Sequence, residues 1–160
     1  MPFRKRTFRS PGQFLKETFG LLGNWRRIRE AMRSGVVSPA FRERLMLAVT
    51  AVNDCRYCAH AHSAEALKHG ISRVELEQLL SGEFGDCPPR ELPAILYARL
   101  WAENDGQPEA EAMDELEKHY SQQEMEHIHL YLKMIRLGNL AGNSWDRVLY
   151  SIPCLRRYSR

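Results

Sequence analysis

Residues 53–62 read NDCRYCAHAH, which sets Cys55 three positions before Cys58 and His62 four positions beyond it. Two thiols so spaced can cycle through a disulfide, hold a soft metal ion, or pack as small apolar groups. An α-helix turns about 100° per residue, so positions 55, 58 and 62 fall within an arc of roughly 60° on one face. His60 lies about 140° from Cys55 on the same count and points elsewhere. Cys55 is placed at a helix N-terminus, where unpaired N–H groups and the macrodipole favour a thiolate; such pairing lowers a thiol pKa from about 8.5 to roughly 3.5–7.5. One turn later, His62 can serve Cys58 as a base or as a cation. Helix-terminus logic favours Cys55 as the attacking sulfur, whereas adjacency to His62 favours Cys58.

Helices must position these groups, and helical period dominates the chain while strand-like alternation is nearly absent. Phe14, Thr18, Leu21, Leu22, Trp25, Ile28 and Met32 recur at threes and fours. They predict one amphipathic helix ending near Gly35, its apolar face docked on the core or on a neighbouring subunit. Ser38 as N-cap and Pro39 at the first position open SPAFRERLMLAVTAVN, apolar on nearly all sides and therefore the most buried helix. Asn53 or Asp54 is expected to cap the following helix, which closes at Gly70. Capping boxes SRVE (72–75) and SQQE (121–124) open two more. CPPRELPAILYARLWAEN reads as a helix entered through Pro88 and Pro89, and the next starts from Pro108. The last long helix is expected from Gln122 to about Leu140, with GNSWDRVLY as a separate terminal turn or short helix. The fold class is all-α, in three parts: a basic amphipathic extension (1–35), a helical domain (36–150) and a basic tail (151–160).

Glu43, eleven residues, Cys55, two, Cys58, three, His62 reproduces a spacing, E-x11-C-x2-C-x3-H, by which the chain resembles the alkylhydroperoxidase D branch of the carboxymuconolactone decarboxylase-like family. ERLMLAVTAVNDCRYCAHAH is similar to that family's core helix pair, and the likeness runs on through HGISRVELEQLLSG, ELPAILYARLWAEN and NLAGNSWDRVL, covering about 38–150. The resemblance implies an all-α fold with the CxxC at the N-terminus of a helix in an antiparallel pair, assembled as a homotrimer or hexamer. It also implies thiol-dependent reduction of a hydroperoxide or a disulfide: a thiolate attacks the O–O bond, becomes a sulfenic acid and condenses with its neighbour, and a lipoyl or thioredoxin-like dithiol resets the pair. On this resemblance Cys58 is the peroxide-reactive sulfur and Cys55 its resolving partner. Glu43 orients His62 or a water in a proton relay, a role that suits a lone acid on an otherwise apolar helix. Where well-known members carry a further relay histidine just before the second cysteine, this chain has Tyr57, a hydrogen-bond donor but a poor proton shuttle near neutral pH. Lactone-decarboxylating relatives lack the cysteine pair, so that activity is not expected.

The chain has 160 residues, 44% hydrophobic and 27% charged, which suits one domain with one core. No apolar run approaches the roughly 20 residues that span a bilayer. The basic start has spaced apolar residues and no small-residue cleavage site, unlike a secretory signal; its Arg and Ser content is shared with transit peptides, but the pattern continues into a helix. Four cysteines, at 55, 58, 87 and 154, are too few and too uneven for a disulfide scaffold and point to a reducing, cytoplasmic setting. Residues 1–34 carry +7, residues 35–150 carry −7 and the tail +3. Basic ends suit self-association or an acidic surface, though a solvated helix face explains them more simply.

Two rival readings compete with the redox one. Zinc could take Cys55, Cys58 and His62 with Cys87 as a fourth ligand, but a second paired motif is missing. AEALKHGISRVELEQLL resembles a helix-turn-helix, yet its second helix carries Glu75 and Glu77 with Arg73, ill suited to phosphates. No cofactor, metal or nucleic acid is therefore expected. Cys87, Cys154, His69, His119, His127 and His129 have no companions and are expected to be packing or solvated residues.

Overall fold

The computed structural model describes residues 3–108 and 110–158, and among them every regular element is a helix. The helix bearing Glu43, α3 (Pro39–Asn53), is the one the others surround: Leu45, Leu47 and Val49 are fully buried, and even its polar Glu43, Arg44, Thr50 and Asn53 lie inside. Ser38 caps it by accepting the Phe41 N–H at 3.1 Å. A helix apolar all round can only be a core element, and each leucine or valine so buried contributes roughly 1.5–3 kcal/mol.

Around α3 pack α4 (Arg56–Lys68), α5 (Arg73–Ser81), α6 (Leu92–Glu103) and α8 (Gln122–Ser151). The first turn of α3 is tied sideways by Arg44, whose guanidinium meets Glu75 of α5 at 2.5 Å and Glu91, just before α6, at 3.0 Å. Glu75 is buried, so α5 is pinned to the core through this ion pair. The remaining helices, α1 (Pro11–Gly23), α2 (Trp25–Ser34) and α7 (Ala110–Glu117), lie against α8 or α6, and a 3₁₀ turn follows at Arg156–Tyr158.

Three expectations from the sequence change. The amphipathic N-terminal segment is two helices, broken at Asn24, which serves as C-cap to one and N-cap to the next. Only Ile28 and Ala31 of this pair are buried, while Phe19, Leu22 and Trp25 are 65%, 58% and 54% exposed, so α1 reaches the core through Leu21 and leaves these apolar side chains outside it. Helix α6 starts at Leu92 with Pro93 in its first turn, and Pro88–Pro89 belong to the preceding turn. Finally, α8 does not stop near Leu140; it runs unbroken through Gly142 to Ser151. Among the described residues no helix is long and apolar enough to cross a membrane.

Candidate redox site

The connection from α3 to α4 is the two residues Asp54 and Cys55. Asp54 takes the left-handed conformation (φ 54°) that ends α3, and Cys55, not Asn53 or Asp54, is the N-cap of α4. The Cys55 sulfur does what a Ser or Asp oxygen does at other N-termini, accepting the backbone N–H of Cys58 at 3.4 Å. The two sulfurs lie 2.7 Å apart, close enough to share a proton and within about 1 Å of a disulfide bond length. Both cysteines are free thiols; Cys55 is fully buried and Cys58 half-buried.

The pair divides its proton unequally. The hydrogen bond from Cys58, which outweighs the cost of burial, together with the backbone N–H groups of Cys58 and Tyr57 and the charge of Lys5, brings the Cys55 thiol down from 9.0 to about 7. Cys58 moves the other way, because its S–H is bonded to the Cys55 thiolate and is partly desolvated; the Asn139 side chain offsets only part of this. The first proton to leave the pair therefore comes off the buried Cys55 sulfur, near neutral pH, and the accessible Cys58 sulfur keeps its own.

Glu43 of α3 and His62 of α4 meet. Glu43 is 2% exposed, its Oε2 is 2.7 Å from His62 Nδ1, and Arg42 holds its other oxygen at 3.0 Å. With Nδ1 committed to the carboxylate, Nε2 is the ring nitrogen that remains for a substrate or water. Tyr57 behaves differently from a relay histidine. Its phenol donates to Asp146 of α8 at 2.8 Å and accepts from Arg56 Nη2 at 2.8 Å, and partial desolvation and the bond to Asp146 keep its pKa above the ordinary value.

Helix α8 forms the opposite wall, and glycine makes the approach possible. A Cβ at Gly142 would stand 2.8 Å from the Cys55 sulfur and 3.2 Å from Tyr57 Cδ2, and one at Gly138 3.8 Å from the Cys58 sulfur. Behind the cysteines Asn53 donates to Asn139 at 3.1 Å, Asn139 to Thr50 at 3.1 Å, and Asn143 to the Asn53 carbonyl at 2.7 Å. This buried amide ladder fixes the end of α3, and with it the start of α4, against α8.

A sequence model of the Carboxymuconolactone decarboxylase family matches residues 21–104. The chain belongs to that family. No individual curated protein matches it. The matched stretch contains Glu43, Cys55, Cys58 and His62, whereas Asn139, Gly142 and Asp146 of α8 lie beyond it. These α8 residues, with Arg56, are the ones that sequence reasoning missed. The signal was present: in an unbroken α8, Asn139, Asn143 and Asp146 recur at i, i+4 and i+7, and all three are fully buried. A polar stripe on the inner face of a helix demands partners, and here the partners are the redox hairpin and the segment before α1.

The other candidate ligands do not join this site. Cys87 is buried beside Glu75, Arg44 and Glu91, and burial pushes its thiol up to about 11. Among the described residues no three His, Cys, Asp or Glu side chains are grouped as a metal centre. His129 is hydrogen-bonded to Tyr97 at 2.8 Å, His127 is buried, and His60, His69 and His119 are exposed.

Proposed function

We propose that the chain is a thiol-dependent peroxidase of the alkylhydroperoxidase D kind, reducing hydroperoxides through a Cys55–Cys58 dithiol–disulfide cycle. The observation that carries this reading is the 2.7 Å sulfur pair, with one sulfur buried at the helix N-cap and its partner half-buried. A hydroperoxide reaches Cys58, which passes its proton to the Cys55 thiolate. The Cys58 sulfur then attacks the O–O bond; an S–O bond forms, the O–O bond breaks, and the leaving alkoxide takes a proton held by the His62–Glu43 pair. The Cys55 thiol next gives its proton back to that pair and attacks the Cys58 sulfenic acid. Hydroxide leaves and takes that proton from the His62–Glu43 pair to become water, the disulfide closes, and the pair recovers a proton from solvent. One thiol, one thiolate, one hydroperoxide and one solvent proton become a disulfide, an alcohol and water. A dithiol donor, lipoyl or thioredoxin-like, returns two electrons and two protons by exchange.

In this scheme Cys55 is base first and resolving thiol second, which reconciles its low pKa with Cys58 as the nucleophile. Tyr57 orients rather than shuttles. The same pair would exchange with a disulfide substrate. The cycle suits the cytoplasm, where the donor pool is reduced. The exposed apolar face of α1 fits assembly into a trimer or hexamer, with 36–150 as the catalytic domain, 1–35 as the extension and 151–160 as the tail. The test is Cys55→Ser treated with hydroperoxide in the presence of a sulfenic-acid trap. The reading predicts a trapped adduct on Cys58, formed more slowly and faster at higher pH because Cys55 no longer takes its proton, and, in Cys58→Ser, none on Cys55. No adduct in either variant would overturn it.

A further inference from the structure

Residues 3–9 precede the first helix, yet they run along α8 and are bonded to it at successive points. Lys5 Nζ reaches Asp146 at 3.3 Å, the Arg6 carbonyl accepts from Asn143 at 2.9 Å, and the Phe8 N–H donates to Ser144 Oγ at 3.3 Å. Arg147 donates to Thr7 at 3.3 Å, and Phe3 packs on Tyr150 with ring centroids 5.7 Å apart. Across the core Arg6 also bonds the carbonyls of Ala102 and Glu103 at the end of α6.

Asp146, where this strap meets the redox hairpin, is fully buried. One of its oxygens takes Lys5, and the other takes Arg56 Nη2 at 2.8 Å and the Tyr57 phenol at 2.8 Å. Arg56 also stacks over the Tyr57 ring, its Cζ 4.7 Å from the centroid, and that ring borders Gly142 beside the Cys55 sulfur. A buried carboxylate with two cations is an expensive arrangement unless every member is held, and removing one cation leaves the others uncompensated.

Resting on the peroxidase reading, we propose that the strap is a working part of the redox site, in which Lys5 and Asp146 are positioning residues: Lys5 fastens the strap to α8 through Asp146, and Asp146 holds Arg56 and Tyr57 against the cysteine pair. The two cations outnumber the single carboxylate, so the assembly sets a net positive charge beside the buried sulfur, and Lys5 is among the groups that lower the Cys55 pKa. The charged and titratable groups around Cys55 are Cys58, Arg56 and Tyr57 on α4, Lys5 on the strap and Asp146 on α8. Glu43 with Arg42 on α3, and His62 beyond them, complete the set.

The test is the pH dependence of iodoacetamide alkylation of the pair in the full-length protein, for wild type, K5M, K5R and D146N, with peroxide-driven thiol loss measured alongside. The proposal predicts that K5M moves the alkylation midpoint to higher pH and slows alkylation at pH 7, that K5R restores both, and that D146N, although it deletes a negative charge, also moves the midpoint upward because Lys5 and Arg56 are both released from the site. If D146N fails to fold, K5M and K5R decide alone, because Lys5 lies on the segment before α1 and outside the helices that build the core. A K5M profile superimposable on wild type would overturn the proposal. A shifted K5M profile in a protein whose thiols survive peroxide would uphold the strap and defeat the peroxidase reading instead.

Discussion

A cysteine at an N-cap position is the smallest unit on which this site depends. The Cys55 sulfur accepts from Cys58 both through the backbone and through the thiol, so replacing Cys58 removes the largest influence on its acidity. Cys58→Ala is predicted to return the Cys55 thiol from about 7 toward 9, read as thiolate absorbance near 240 nm against pH. The pair also ties stability to pH. Between pH 7 and 9 the native pair holds one proton and the unfolded thiols two, so stability rises with pH; above 9 the unfolded chain loses both while Cys58 keeps its own, and stability falls. A shift of about two units corresponds to less than about 3 kcal/mol, so urea unfolding should show a wild-type gain on the order of 1–2 kcal/mol from pH 7 to 9 that C55S/C58S lacks. At Glu43, exchange for Gln keeps the shape but weakens its hold on His62, and disulfide formation after peroxide is predicted to slow by about tenfold or more.

At the scale of elements, the close contact between α8 and the hairpin decides what the glycines do. Gly142→Ala forces a methyl to within 2.8 Å of the Cys55 sulfur, and the overpacking cost of about 1–3 kcal/mol outweighs the roughly 1 kcal/mol that alanine gains in helix propensity. Gly20→Ala in α1 meets nothing within 4 Å and is predicted to stabilise by about 0.5–1 kcal/mol. Thermal melts of the two variants should shift in opposite directions. Gly142 also explains why the extent of α8 was not legible in the sequence. Within GNLAGNSW the two glycines and two asparagines read as a helix end, because intrinsic propensity argues that way; tertiary packing against sulfur overrides it. The core helix α3, by contrast, was legible from its Ser38–Pro39 start and unbroken apolar content. Glu43, Cys55, Cys58 and His62 were legible because family spacing marks them, whereas Lys5 and Asp146 are 141 positions apart and no local pattern links them.

For the whole molecule, α1 and the start of α2 carry a run of exposed apolar side chains. Phe19, Leu22 and Trp25, spaced by threes, are each more than half exposed. Their predicted use is a subunit contact, so Phe19→Glu with Leu22→Glu should shift the protein from oligomer to monomer by light scattering while leaving the far-ultraviolet helix signal unchanged. The strap of residues 3–9 and α8 give the family core a second wall around its cysteines, which ties the basic N-terminus to chemistry rather than to surface charge alone. All of this stands on the cysteine pair being redox-active. The most direct measurement is to add one equivalent of hydroperoxide to the fully reduced protein, count the remaining thiols, and map the cross-link by peptide mass. The account predicts a fall from four thiols to two, with the bridge between Cys55 and Cys58. Four thiols remaining, or a bridge involving Cys87 or Cys154, would contradict it.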